Sequence, residues 1–589
     1  MSSQAPAQAA RIHRRGTAVA RPLLLLLLCL ALYLPGLTSL PPTDRDEARY
    51  VQATRQMLAS GDLLDIRFQD SPRHKKPAGI YWLQALSAGA AQRAGAPATA
   101  MAPFRLVSVL GATAAVLLLY GLFAPLIGAQ QAFLAGLLLA GSLLLGIEAH
   151  LAKTDATLLA AVVAMQGGLA RVVVGADRGG DAAGERTGWG SRALFWGGLG
   201  VGMLIKGPVA PAVAGLTLAA LMGRERSWRP LLALRPWPWL LLTLALVVPW
   251  LMAIQTVSQG GFLEESLGRD FLPKLIEGQE SHGAPPGTYA LLAPLLLWPV
   301  SWLLLPAAWL GWRRHRHQPP GPGAAVGRVA LAWLVPAWLV FELVPTKLPQ
   351  YVLPLVPALC LLAATGFREL PARDRWGRRL SWLVGALWTL GGLALALAAP
   401  IASVWALGRV SVAAALVSVV CLALLVGAPR RPPPQRLALS LAAAVLVWGL
   451  LFQAVIPSLA PLWPAPRLAA LLQREGADGR PIALAGYREP SAVFLLGTDT
   501  LLTNLDGVVQ HLDRHGEAVA ILPTDALAEL EARTPPGAGR GRRILGRVRG
   551  LNISKGRPLD LTVLEQRCLP TPSADRSPPA AATAPARGC

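Results

Sequence analysis

Two short runs near the N-terminus carry residue types suited to chemistry on hydroxyl groups and phosphates. The first is PPTDRDEARY (41–50), which sets Asp44, Asp46 and Glu47 close together. A positioned carboxylate can take a proton from a hydroxyl that is about to attack a carbon centre. The second is His74-Lys75-Lys76-Pro77, which runs into the apolar-aromatic stretch Ile80-Tyr81-Trp82-Leu83. Adjacent ammonium groups beside an apolar stretch suit a phosphate carried on a lipid. Each run also has a plainer reading. From Asp46 onward, Tyr50, Met57 and Leu58 recur at helical spacing, so this is an interfacial helix whose acidic first turn the helix dipole alone would favour. The lysines could equally snorkel beside an aromatic belt.

The same mixture of charge and proline returns further along. Glu148, His150, Lys153 and Asp155 form one group, Lys206-Gly207-Pro208 a tight turn, and Glu342, Lys347, Pro349 and Tyr351 a third. Ionisable groups at membrane depth are costly and are functional candidates by default. Any one of these could be a loop residue in water, but several on one side of a membrane point to a shared cavity. The stretch 257–287 adds Glu264, Glu265, Arg269, Asp270, Lys274, Glu280 and His282. A lone histidine is more often a hydrogen-bonded structural residue than a ligand, and a metal at His282 would need carboxylate partners that spacing does not identify.

The elements that must hold these residues are set by hydropathy. The chain has 589 residues, 53% of them hydrophobic, with a mean hydropathy of +0.45. Apolar runs close to the length needed to cross a bilayer recur from residue 22 to residue 457. We read an α-helical polytopic membrane protein of about thirteen spans, near 22–40, 103–125, 130–148, 155–173, 191–205, 207–222, 237–256, 288–311, 326–343, 351–367, 380–400, 405–427 and 437–457. Arginines gather in alternate connections: Arg171, Arg178 and Arg186; Arg224, Arg226, Arg229 and Arg235; Arg313, Arg314, Arg316 and Arg328; Arg368, Arg373, Arg375, Arg378 and Arg379; Arg430, Arg431 and Arg436. With 1–21 in the cytoplasm, the positive-inside rule puts all of these there too. The net charge of +22 is therefore topological, and nucleic acid is not an expected partner. The connections 41–102 and 257–287 then face outward, as does everything after the membrane part, 22–457.

In that last part IALAGY (482–487), AVFLLG (492–497) and AVAILP (518–523) read as strands and DALAELEAR (525–533) as a helix. A small periplasmic α/β domain is expected over 458–566, with a disordered tail at 567–589. Cys29, Cys360 and Cys421 lie in apolar runs as small core residues, whereas Cys568 and Cys589 could pair outside.

In DEARY (46–50), KKPAGIYWLQ (75–84), KTD (153–155), KGP (206–208) and TKLPQYVLPLVP (346–357) the chain resembles the GT-C membrane glycosyltransferases that include the lipid A aminoarabinose transferase and the protein O-mannosyltransferases. The match spans about 20–460 in order. The resemblance implies inverting transfer of a sugar from a polyprenyl (undecaprenyl) phosphate donor to a periplasmic acceptor at the bacterial inner membrane. The acceptor would be lipid A, another envelope glycolipid, or a protein.

By the same resemblance Asp46, Glu47 and Asp155 are the acidic residues of the chemistry. Lys76 holds the carrier phosphate, and Arg49, Tyr50, Lys75, Tyr81, Lys153, Lys206, Arg269, Lys347 and Tyr351 are candidates for contacts to carrier or sugar. One departure concerns metal. The aminoarabinose transferases commonly have Glu before that lysine, able to join a histidine of the long outward loop at a divalent ion. Here Lys75 stands in its place while His282 remains, and a cationic neighbour disfavours such an ion. The rival class is a transporter of polyprenyl-linked lipid. Transporters tend to have inverted repeats and helices broken near the midplane; no such halves are visible in the sequence.

Overall fold

The computed structural model describes residues 5–177, 182–271, 273, 283–317, 321–535 and 540–568. The expectations for His282 and for the tail beyond 568 fall outside these residues. Helices dominate: α1 (Ala5–Tyr33), α2 (Asp46–Ser60), α3 (Gly79–Arg93), α4 (Met101–Ile127), α5 (Ala129–Ala140), α6 (Leu143–Ala149), α7 (Asp155–Asp177), α8 (Ala182–Lys206) and α9 (Val209–Glu225). They continue as α10 (Arg229–Ala233) and α11 (Pro236–Val257), and further helices run to residue 458.

Among the described residues eight helices are long and apolar enough to cross a membrane, or nine if the bent pair α5 and α6 counts as one span. The chain is thus a multi-spanning membrane protein. Several of the expected spans are shorter or interrupted: the apolar part of α1 is Val19–Tyr33, α9 has 17 residues, and 288–311 divides into Thr288–Leu296 and Ser301–His317. The bend of 65° between α5 and α6 falls at Gly141-Ser142. There the Leu143 amide donates to the Trp298 carbonyl at 2.9 Å and the Ser142 hydroxyl to the Leu139 carbonyl at 2.8 Å. A broken helix within an apolar layer persists only where its freed polar groups find such partners.

Small residues set the close helix contacts. A Cβ added to Gly111 of α4 would lie 2.7 Å from the Thr157 backbone of α7, and one on Gly198 of α8 would lie 2.8 Å from the Ala161 carbonyl of α7. Where hydrocarbon surrounds the helices, this kind of backbone approach is what holds them together. Gly79, opening α3, meets the Leu204 carbonyl of α8 in the same way, at 2.6 Å from a would-be Cβ. That contact draws the Lys76-Pro77 stretch to the end of α8.

Between α1 and α4 the chain forms α2, a two-residue hairpin β1 (Arg67–Phe68) and β2 (Ser71–Pro72), and α3. α2 begins at Asp46 with Asp46 and Glu47 in its first turn, and ends on left-handed Gly61, an ordinary helix terminator. After residue 464 the strands β3 (Ile482–Ala485), β4 (Leu501–Thr503), β5 (Ala518–Pro523), β6 (Arg540–Asn552) and β7 (Arg557–Cys568) form one sheet of order β4-β3-β5-β7-β6. The expected strand 492–497 is instead the helix Pro490–Leu496, as suits a Pro at the first helical position. The long hairpin β6–β7 was not anticipated. Cys29, Cys360 and Cys421 are buried free thiols, and Cys568 is disulfide-bonded.

Candidate active site

A cavity of about 580 Å³ opens where four elements meet. The loop before α3 contributes Lys75, Lys76 and Pro77; the start of α7 contributes Asp155 and Leu158; the α8–α9 turn contributes Lys206, Gly207 and Pro208; and the segment 340–354 contributes Phe341, Gln350 and Tyr351. Five residues singled out in the sequence therefore share one space. Gly207, at a φ of 59°, makes the turn that leaves Lys206 facing inward. Lys206 donates a short hydrogen bond to Asp155, and its ammonium lies 5.6 Å from the centre of the Tyr351 ring. Apart from Ser266 the remaining wall is apolar, with Leu158, Val209, Val340 and Val344 among its members. The lining thus combines cationic and hydrocarbon-like side chains.

A second polar group adjoins it. Lys153 donates to Glu148 at 3.1 Å. Burial works against the Lys153 ammonium, yet the charges of Glu148 and Asp155 outweigh it and raise the pKa above the usual lysine value. Tyr50 and Tyr81 pack with ring centres 5.3 Å apart, and the Arg73 guanidinium sits 5.4 Å from the Tyr50 centre while donating to the Tyr81 hydroxyl at 3.2 Å. Burial raises the pKa of both phenols, with the nearby charge of Asp46 adding to the effect. Asp46 itself is exposed at the head of α2, and Arg49 is half-buried one turn on.

Glu47 has a different place from the one expected. It is buried, and Arg105 of α4 donates to both its oxygens at 2.8 and 2.9 Å. The Ala152 amide adds a bond at 2.8 Å, and the Thr43 amide and hydroxyl add two at 2.9 Å. Burial alone would raise this carboxyl; the Arg105 charge and these bonds outweigh it and hold it below the usual range. With its oxygens so engaged, Glu47 is a strut rather than a participant. Arg105 also donates to the carbonyls of Leu37, Leu40 and Pro41, fastening the end of the first span to α4.

Six expected contacts do not line the cavity: Arg49, Tyr50, Tyr81 and Lys153 stand in or beside the adjoining polar group, and Arg269 and Lys347 are turned to other partners. The Arg269 side chain is exposed, pairs with Glu264 at 2.7 Å and borders a separate surface pocket with Asp65 and His74. Lys347 turns back to the carbonyls of Glu342 and Val344 at 2.9 and 2.6 Å, while Glu342 caps the helix that starts at Thr288. Arg73 and Arg105 were missed because an isolated arginine beside an apolar run looks like ordinary flanking charge. Among the described residues no group of three or more His, Cys, Asp or Glu could hold a metal ion. The cavity offers three lysines and one carboxylate already paired, which does not fit a divalent ion.

The fold and the site together define a helical membrane protein with a lysine-lined amphipathic cavity beside an anchored acidic loop. The family described as dolichyl-phosphate-mannose-protein mannosyltransferase matches residues 75–252. The chain is 27% identical over 359 residues, 59% of it and 60% of the relative, to the undecaprenyl phosphate-alpha-4-amino-4-deoxy-L-arabinose arabinosyl transferase of Edwardsiella ictaluri. It is 29% identical over 363 residues, 60% of each chain, to the protein of that name from Pseudomonas paraeruginosa. The chain spans about 60% of the length of these curated relatives. The crystal structure of ArnT from Cupriavidus metallidurans bound to undecaprenyl phosphate superposes with a TM-score of 0.70 at 19% identity, covering 93% of this chain and 98% of that one. The apo form gives 0.70 at 18%, over 94% and 98%. The chain therefore has the fold of that protein and resembles the GT-C glycosyltransferases.

Proposed function

We propose that the protein is an inverting glycosyltransferase that moves a sugar from a polyprenyl-phosphate donor to an acceptor at the outer face of the bacterial inner membrane. The observation that carries this reading is the amphipathic cavity: its Lys75, Lys76 and Lys206 match a lipid phosphate, and its Leu158, Val209, Val340 and Val344 match the first isoprene units. The name of these relatives supports undecaprenyl phosphate as the carrier, and lipid A or another envelope glycolipid is the acceptor class we favour. In this reading the chain crosses the membrane about thirteen times, with residues 1–21 cytoplasmic and the loop 41–102 and the C-terminal sheet periplasmic.

In the transfer, the bond between the anomeric carbon and the phosphate oxygen breaks. Its electron pair leaves with the polyprenyl phosphate, while the acceptor oxygen bonds to that carbon from the opposite face. Lys76 and Lys206 stabilise the charge that grows on the leaving phosphate, an effect that is large where water is excluded. Asp46, the exposed carboxylate of the loop, accepts the proton released by the acceptor hydroxyl. Asp155, fixed by Lys206, orients the sugar, and Lys153 holds the charge balance between Glu148 and Asp155. Arg49, Tyr50 and Tyr81 line the approach from the loop.

The test supplies purified protein with radiolabelled polyprenyl-phosphate sugars and an extract of envelope lipids and proteins. Label appearing in the glycolipid fraction supports the reading; label in protein redirects the acceptor. Carrier binding without transfer, across several sugars and acceptors, would replace it with lipid transport.

A further inference from the structure

Asp46 stands among neighbours that are each tied to a distant part of the chain. Asp44 accepts a hydrogen bond from the Tyr487 hydroxyl at 2.9 Å and another from the Ser491 amide at 3.2 Å. Arg45 reaches the other way and donates to the Ser554 carbonyl at 2.7 Å, in the turn between β6 and β7. Glu47 is held by Arg105 and Ala152. Along 44–47 Asp46 alone is exposed.

The backbone shows why such anchoring is needed. Arg45 has φ 65° and ψ −107°, a conformation that a side chain bearing a Cβ seldom adopts. Strain of this kind persists only where the surroundings over-determine it, and it gathers at functional sites. The anchors of Arg45 and Asp44 come from the C-terminal sheet and its connections. Further along α2 and the hairpin, Arg55 donates to the Phe494 carbonyl at 2.7 Å and Gln69 to the Thr498 and Thr500 carbonyls at 2.8 and 2.7 Å. The seam between loop and sheet is continuous from Asp44 to Gln69.

We infer that the C-terminal sheet is a positioning element for transfer: through Asp44 and Arg45 it holds Asp46 at the angle from which it meets the acceptor hydroxyl. The inference rests on the assignment of Asp46 as proton acceptor. Asp44 and Tyr487 are positioning residues, since the Asp44 carboxylate is engaged by the Tyr487 hydroxyl and the Ser491 amide. A displacement of about 1 Å in a reacting group is enough to cost on the order of a hundredfold in rate, so cutting these ties should act on turnover and leave carrier binding alone.

The experiment measures kcat and donor KM for labelled-sugar transfer by the full chain in Asp44→Ala, Asp44→Asn and Tyr487→Phe, each also combined with Asp46→Asn. Asp44→Ala is expected to lower kcat about 10- to 100-fold with donor KM unchanged. Asp44→Asn, which still accepts from the Ser491 amide, should recover most of it. In the Asp46→Asn background Asp44→Ala should add little, because groups that act as a unit are non-additive. If Asp44→Ala fails to fold, Tyr487→Phe, which deletes one hydroxyl, decides on the same readouts with about a tenfold loss expected. Normal kcat in the folded variants, or an equal further loss on top of Asp46→Asn, overturns the inference. Full turnover in Asp46→Asn alone would instead overturn the proton-acceptor assignment beneath it.

Discussion

Glu47→Gln exchanges one carboxylate oxygen for an NH2 group and should destabilise the whole loop. Both side chains of the Glu47–Arg105 pair have 0% exposure, so the substitution leaves a guanidinium buried without its counter-charge. Breaking one partner of a buried pair costs about 3–5 kcal/mol. Arg105 keeps three carbonyl acceptors, Leu37, Leu40 and Pro41, which places the expected loss near the lower end, at about 3 kcal/mol. The single amide oxygen of Gln can accept from Ala152 or from Thr43 but not from both, because these donors meet different oxygens of Glu47, so the loss combines the missing charge with a missing acceptor. Unfolding of the purified protein in detergent, followed by tryptophan fluorescence, should show a lowered midpoint. Limited proteolysis should open cleavage within 41–102 before the remainder of the chain. Adding Arg105→Met should recover part of the loss, because the stranded charge is then gone. A midpoint equal to the wild type, with the loop still resistant to protease, would refute the view that this pair holds the loop.

Lys76→Ala removes one cation from the lining of the cavity. A hydrogen bond to a charged group is worth about 1.5–3 kcal/mol, so affinity for polyprenyl phosphate in a lipid-binding assay should fall at least tenfold; unchanged affinity takes Lys76 out of the site. Arg269→Ala should leave that affinity alone, because its side chain is exposed and paired with Glu264; a tenfold loss would return Arg269 to the cavity. Glu47 is depressed below the ordinary 4.5, so its stabilisation is present above that value and is lost as pH falls through the folded-state value. Unfolding midpoints should therefore drop on acidification below about pH 4.5, and much less so in the Glu47→Gln, Arg105→Met pair. Asp44 is the opposite case: burial raises its pKa, so its ionisation opposes folding as pH rises, and Asp44→Asn should not lower the midpoint at neutral pH.

How far the chain could be read from its sequence depended on which physical signal was local. Apolar runs are local, so the membrane class followed from hydropathy, and helix α2 could be placed at Asp46 from an acidic first turn ahead of Tyr50 and Met57. The gathering of Lys75, Lys76, Asp155, Lys206 and Tyr351 around one cavity could be anticipated because charge on the side opposite the arginine-rich loops needs a reason. The direction of a side chain is not local. Lys347 looked like Lys206 in sequence, but it folds back on Glu342 and Val344. Glu47 looked like Asp46, but one position along α2 turns it inward to Arg105. The bend between α5 and α6 depends on a carbonyl at Trp298, far along the chain. Strand β6 (Arg540–Asn552), with its several arginines, lacks the apolar alternation that marks a strand.

The most direct test of the central claim compares wild type with Asp46→Asn in one preparation, measuring polyprenyl-phosphate binding and sugar transfer together. The expected result is equal carrier binding with transfer reduced about 10²–10⁴-fold, since the cavity lysines are untouched and only the proton acceptor is gone. Equal transfer in both proteins would contradict the account.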